Sequence, residues 1–155
     1  MRDKRFIAEH RGGLLKKEQH IQLIKWACGC VIHVFPLLKD KPDERLIHAL
    51  FIAGEWAKGK VKTGDAMKCS LQAHAVARKS SDPLTIAVAR AVGQAVATAH
   101  MADHSLGAAL YALKAVKYGG KSTNEERRWQ NENLLAEIKS LVLTGRAEKE
   151  KHFKL

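Results

Sequence analysis

No stretch of this chain alternates apolar and polar residues as a half-buried β-strand would, and that absence leaves the α-helix as its building unit. Proline is rare: Pro36, Pro42 and Pro83 sit where helices are expected to end or begin. Cysteine is scarce and odd in number, which fits reduced thiols better than a disulfide framework. On a helix, Cys28 and Cys30 would point to nearly opposite faces, so they cannot share one metal ion. Long hydrophobic runs are missing as well. The most apolar window, Leu84 to Ala102, contains Arg90 and owes its apolarity mainly to alanine, which makes it a poor transmembrane span. No membrane contact is expected. Met1 to Gly13 lacks the apolar segment of a secretory signal, so the expected location is the cytoplasm.

Acidic residues are in short supply: 16 face 27 basic ones, giving a net charge of +11. Such an excess points to acidic protein partners, nucleic acid or an anionic surface. Its distribution reads as a solvated surface, with a basic helical nucleic-acid-binding module as the alternative to a protein-binding role. Residues 1–62 carry +6, residues 63–116 carry +2 and residues 117–155 carry +3, so the charge is spread and interleaved with acids, with no dedicated nucleic-acid stripe. The length of 155 residues suits one domain over 1–155, burying roughly two thirds of the surface of its unfolded chain. Within it, residues 1–17 read as a flexible arm and residues 146–155 as a charged, fraying tail.

Periodicity predicts an all-α bundle of six helices. The first, Glu18 to Leu38, carries Ile21, Ile24, Cys28, Val31 and Phe35 at helical spacing. The second, Asp43 to Lys58, presents Leu46, Ile47, Leu50, Phe51, Trp56 and Ala57. A third is expected from an N-cap at Thr63 to Ser80, burying Met67, Leu71, His74 and Ala77. Asp82 before Pro83 opens a fourth, running to His100, and Asp103 caps a fifth that stops at Gly119-Gly120. Thr123 with Glu126 forms a capping box for a sixth helix that ends at Gly145. The stretch Pro83 to Gly120 holds four formal charges and is rich in alanine. As one helix it would be about 57 Å long, against about 40 Å for the whole globule, so it must fold back as a central hairpin.

The corner of that hairpin, His100-Met101-Ala102-Asp103-His104, is the candidate site for chemistry, with His74 supplied by a neighbouring helix. His100 and His104 have zinc-pair spacing, but the expected bend separates them and no glutamate base lies between them. A structural corner is therefore preferred to a His74, His100 and His104 metal site or a metal-dependent enzyme, and no cofactor is implied. Phosphate loops, nucleophile elbows and paired carboxylates are all missing, which argues against an enzyme. Arg127, Arg128 and Trp129 form the best candidate for a partner contact. Apolar helix faces left over from packing would favour a homodimer.

Three segments, Ser70 to Arg78, Ala89 to His100 and His104 to Val116, resemble a family of small bacterial helical putative immunity proteins. The ordered placement of Gly93, Gln94, His100, His104, Gly107 and Tyr111 carries the resemblance, which extends from the Trp26-Ala27 region to Arg128-Trp129-Gln130. It implies a non-enzymatic protein that binds and neutralises a toxin by occlusion. The charge of +11 sets it apart from the acidic inhibitors that mimic nucleic acid, so a nuclease is a poor candidate for the target.

Overall fold

Helices take up every long apolar segment. The computed structural model describes residues 2–155. Seven α-helices follow one another: α1 (Lys17–Val34), α2 (Glu44–Ala57), α3 (Thr63–Lys79), α4 (Pro83–Ala97), α5 (His104–Tyr118), α6 (Thr123–Glu132) and α7 (Ala136–Glu150). One-turn 3-10 segments lie at Lys4–Phe6, Glu9–Arg11 and Phe35–Leu37. Asp43 and Asp82 start α2 and α4 by accepting the N–H groups of Arg45 and Thr85 at 2.9 and 3.1 Å. Gly59 and Gly120 follow α2 and α5 with φ near +75° and +72°, the left-handed conformation that terminates a helix.

α4 and α5 each bury ten of their 15 residues and pack against one another, with α3 on the far side of α4 and α6 and α7 on α5. α1 covers both. By length and composition α1 with its 3-10 extension (Lys17–Leu37) is apolar enough to cross a membrane. Here Leu23, Ile24, Ala27 and Val31 are fully buried against protein, which is the work of a core helix.

Several boundaries and faces differ from expectation, each for a local reason. The sixth helix is two, because Asn133 Nδ2 bonds the Trp129 carbonyl at 2.8 Å and the chain turns to drop Leu134 into the core. Ser122, one residue before the expected Thr123, caps α6, and Glu126 turns away to His33. Gly145 does not end a helix. It lies within α7, where a Cβ would come within 2.9 Å of Phe6 and 3.0 Å of Leu106, so its lack of a side chain admits both. The tail beyond it does not fray: Arg146 is buried, and Phe153 meets Tyr111 edge-on at 4.9 Å. Residues 2–17 are likewise no free arm. Phe6 and Leu15 enter the core, and backbone bonds from Leu14 to Lys4 and from Leu15 to Ile7 close the segment on itself; Met1 lies outside the described residues.

The buried stripe of α3 is Ala66, Cys69, Ser70, Ala73, Val76 and Ala77, while Met67 and Leu71 are exposed. On α2, Leu46, Ala49, Ala53 and Trp56 face inward, leaving Ile47 and Phe51 outside. Small residues win these positions because the partner is itself alanine- and glycine-lined. Close approach of two such helices gains more contact per residue than a bulky spacer would.

Candidate functional site

α4 stops at Ala97 and α5 starts at His104, so Thr98 to Asp103 form the corner. Two glycines make room for the polar groups around it. At Gly93 a Cβ would fall 2.6 Å from His74 ring atoms, and at Gly107 one would fall 2.8 Å from Gln94 Oε1. His74 therefore lies flat on α4 with Nδ1 accepting from Arg90 Nη1 at 2.8 Å, and Gln94 receives His104 Nδ1–H at 2.7 Å. His20 of α1 donates Nε2–H to the Thr98 carbonyl at 2.6 Å and packs on Trp56 with ring centroids 4.8 Å apart. The first two bonds tie one helix to another, and the third ties α1 to the corner.

His100 and His104 do come together, their ring centroids 5.5 Å apart, with Asp103 beside them. Asp103 occupies the N-cap position of α5 but makes no capping bond, since its backbone is already helical. Its Oδ1 is buried without a hydrogen-bond partner, and the nearest cation is Arg2 at 4.0 Å. His74 faces a guanidinium instead of a metal position. Among the described residues no group of three or more His, Cys, Asp or Glu is placed to hold a metal ion.

Burial disfavours the charged form of the histidines around the corner. Burial pushes the His74 pKa down to about 4, helped by Arg90 and Arg78, while burial also lowers those of His20, His100 and His104. The thiols are quiet for the same reason: burial drives Cys28 up to about 12 and raises Cys30 and Cys69. Gly93→Ala is expected to push His74 off Arg90 and destabilise the fold by about 1 to 3 kcal/mol, the usual range for overpacking. An unchanged urea midpoint would count against that geometry.

The Arg127, Arg128 and Trp129 cluster divides on inspection. Arg127 is spent inside the molecule, bonding both oxygens of Glu150 at 2.6 and 2.9 Å. Arg128 is exposed. Trp129 is half-buried and stacks on His33, 3.6 Å away and 5° from parallel, while His33 Nδ1 bonds Glu126 at 2.6 Å. Shallow clefts of about 220 and 400 Å³ flank the indole. His33 and Glu126 escaped sequence reasoning because they lie 93 positions apart.

A third feature was also missed. A cleft of about 360 Å³ opens beside the corner, walled by the N-terminal segment, His20, Trp56 and His100. Its residues share no sequence period, and only His100 belongs to the expected set.

A family model described as Imm-5 like putative immunity protein matches residues 13–137. Comparison with curated proteins returns no match, and comparison with solved structures returns none.

Proposed function

Because this chain belongs to the Imm-5-like family of putative immunity proteins, we propose that it binds a cognate toxin in the cytoplasm and blocks it by occupying its surface, without catalysis. The family match carries this reading. Two features of the molecule support it. α4 and α5 pack on one another with ten of 15 residues buried in each, and His20, His74 and His104 hydrogen-bond to neighbouring elements, which suits a scaffold for recognition. The net charge of +11 favours an acidic face on the partner.

On this reading the contact surface includes Arg128 and the half-buried Trp129 with its stacked His33, an aromatic and a cation at one exposed place. Arg127 is left out because Glu150 engages it. Ile47 and Phe51 of α2 and Met67 and Leu71 of α3 are exposed apolar residues through which two copies would pair.

A nuclease-treated pull-down from the native host, followed by reconstitution from purified parts, is expected to give a one-to-one complex. Co-expression should relieve the growth defect caused by the captured polypeptide. Trp129→Ala and Arg128→Ala should each weaken the complex about tenfold. Recovery of nucleic acid alone, lost on nuclease treatment or added salt, would replace the toxin reading with a nucleic-acid one.

A further inference from the structure

The cleft beside the corner is unbalanced in charge. Arg2, Arg11 and Lys17 line it with Glu9 as the acid among its lining residues, and three imidazoles, His10, His20 and His100, complete the polar wall. Asp103 lies outside that lining and approaches Arg2 no closer than 4.0 Å. Like charges crowded at the mouth of a low-dielectric recess repel one another unless an anion sits among them. The imidazoles feel that repulsion. Beyond the effect of burial, Lys17 and His10 depress His20 against the pull of the Thr98 carbonyl, and Arg11 and Arg2 depress His100 against Asp103.

Hydrogen-bonding capacity is also left over. His100 Nδ1 is buried with no partner. Thr63 Oγ1 accepts from Trp56 Nε1 at 3.0 Å, which leaves its own hydroxyl proton to donate. Lys17 Nζ is held 4.3 Å over the Trp56 ring, so the cation stands at the cleft instead of trailing into water.

We propose that this cleft binds a small molecule carrying a phosphate dianion, with Arg11 and Lys17 as its main charge contacts and the Thr63 hydroxyl and His100 ring as hydrogen-bonding groups. The lining carries three cations against one acid, Glu9, with Asp103 facing Arg2 from outside it at 4.0 Å, an excess of positive charge that a bound anion offsets. A volume of about 360 Å³ matches a single small ligand, and the guanidinium fork suits phosphate oxygens. The site stands apart from the toxin-binding surface, and neither reading depends on the other.

Calorimetric titration of the purified full chain with inorganic phosphate and with methyl phosphate at neutral pH and low salt tests the site. Saturable one-to-one binding is expected, with the His20 and His100 imidazole pKa values rising in NMR titrations as the anion binds. Arg11→Gln and Lys17→Gln, both at exposed side chains, should each weaken binding about tenfold. Lys39→Gln should leave it unchanged, since Lys39 lies past the other end of α1, a helix about 27 Å long. Heat that never saturates, equal weakening by Lys39→Gln, or succinate bound as tightly as methyl phosphate would each overturn the assignment.

Discussion

Gln130→Ala is expected to cost about 3 to 4 kcal/mol of unfolding free energy, more than any surface change in the molecule. Gln130 is fully buried and serves two partners with its amide: Nε2 donates to the Ala109 carbonyl of α5 at 3.0 Å, and Oε1 accepts from Arg146 Nη1 of α7 at 2.9 Å. Its own carbonyl receives the Trp26 indole N–H of α1 at 2.9 Å. One residue thus joins four helices. Truncation takes the second donor from the Ala109 carbonyl, which keeps its bond within α5, and deprives a buried guanidinium of an acceptor, with Asn131 as its remaining side-chain partner. Arg146 has no direct carboxylate, and burial already lowers its pKa, so it tolerates that loss poorly. Chemical denaturation measures the cost. The double variant Gln130→Leu with Arg146→Met removes the charge along with its acceptor, and it should be less destabilised than Gln130→Ala alone. A single-variant cost below about 1 kcal/mol, the worth of an ordinary hydrogen bond, would show that the network is dispensable.

Stability is expected to fall as the pH drops from about 6.5 towards 4. A histidine whose folded pKa lies below its unfolded value is neutral in the fold and takes up a proton on unfolding, so the unfolded state binds more protons through that window and stability rises with pH. His74 defines the window, falling from 6.5 to about 4 through burial, Arg90, Arg78 and His104. Protonating its Nδ1 would destroy the acceptor for Arg90 and set two cations face to face. His20, His100 and His104 act in the same direction. Around His104 the opposing groups are Asp103, which favours protonation, and His100, Lys149 and Arg2, which resist it.

At 1.36 kcal/mol per unit, and discounted for the partial exposure of the ring, His74 alone is worth on the order of 2 kcal/mol. Asp3, Asp43, Asp82 and Glu148 are all lowered from their ordinary values, so their contributions persist through the window and fade at lower pH. Unfolding midpoints followed from neutral pH to 4 should therefore drop steadily, and His74→Gln should flatten the drop, since glutamine keeps an acceptor for Arg90. A midpoint that holds level across the window would contradict the neutral assignment.

The helical architecture could be read from this chain because its signals are local. Asp82 before Pro83 and the glycines after α2 and α5 act within one turn, and hydrophobic spacing along α1 places Ile24 and Val31 inward whatever the partner. The alanine-rich run of α4 and α5 also determines by its length alone that the chain must bend near His100. Which face of α2 and α3 turns inward was a different matter. Leu71 and Phe51 outrank alanine in any hydropathy count, yet both are exposed, because the fit against a flat alanine and glycine surface is a property of two helices together.

The same division runs through the candidate sites. His74, His100, Asp103 and His104 could be singled out from the chain, and only the fold shows that His74 meets Arg90 and His104 meets Gln94. Trp129 was visible; its stacking on His33 was not. The basic cleft draws on an N-terminal turn, two residues of α1 and the ends of α2 and α4, brought together by contacts no sequence period records. By itself the sequence determined the helices, the bend and the excess of positive charge, since these depend on neighbours along the chain or on composition. Tertiary structure alone decided which polar groups are paired, which stay neutral and where the positive charge is left uncompensated, because burial and distance between remote residues set all three.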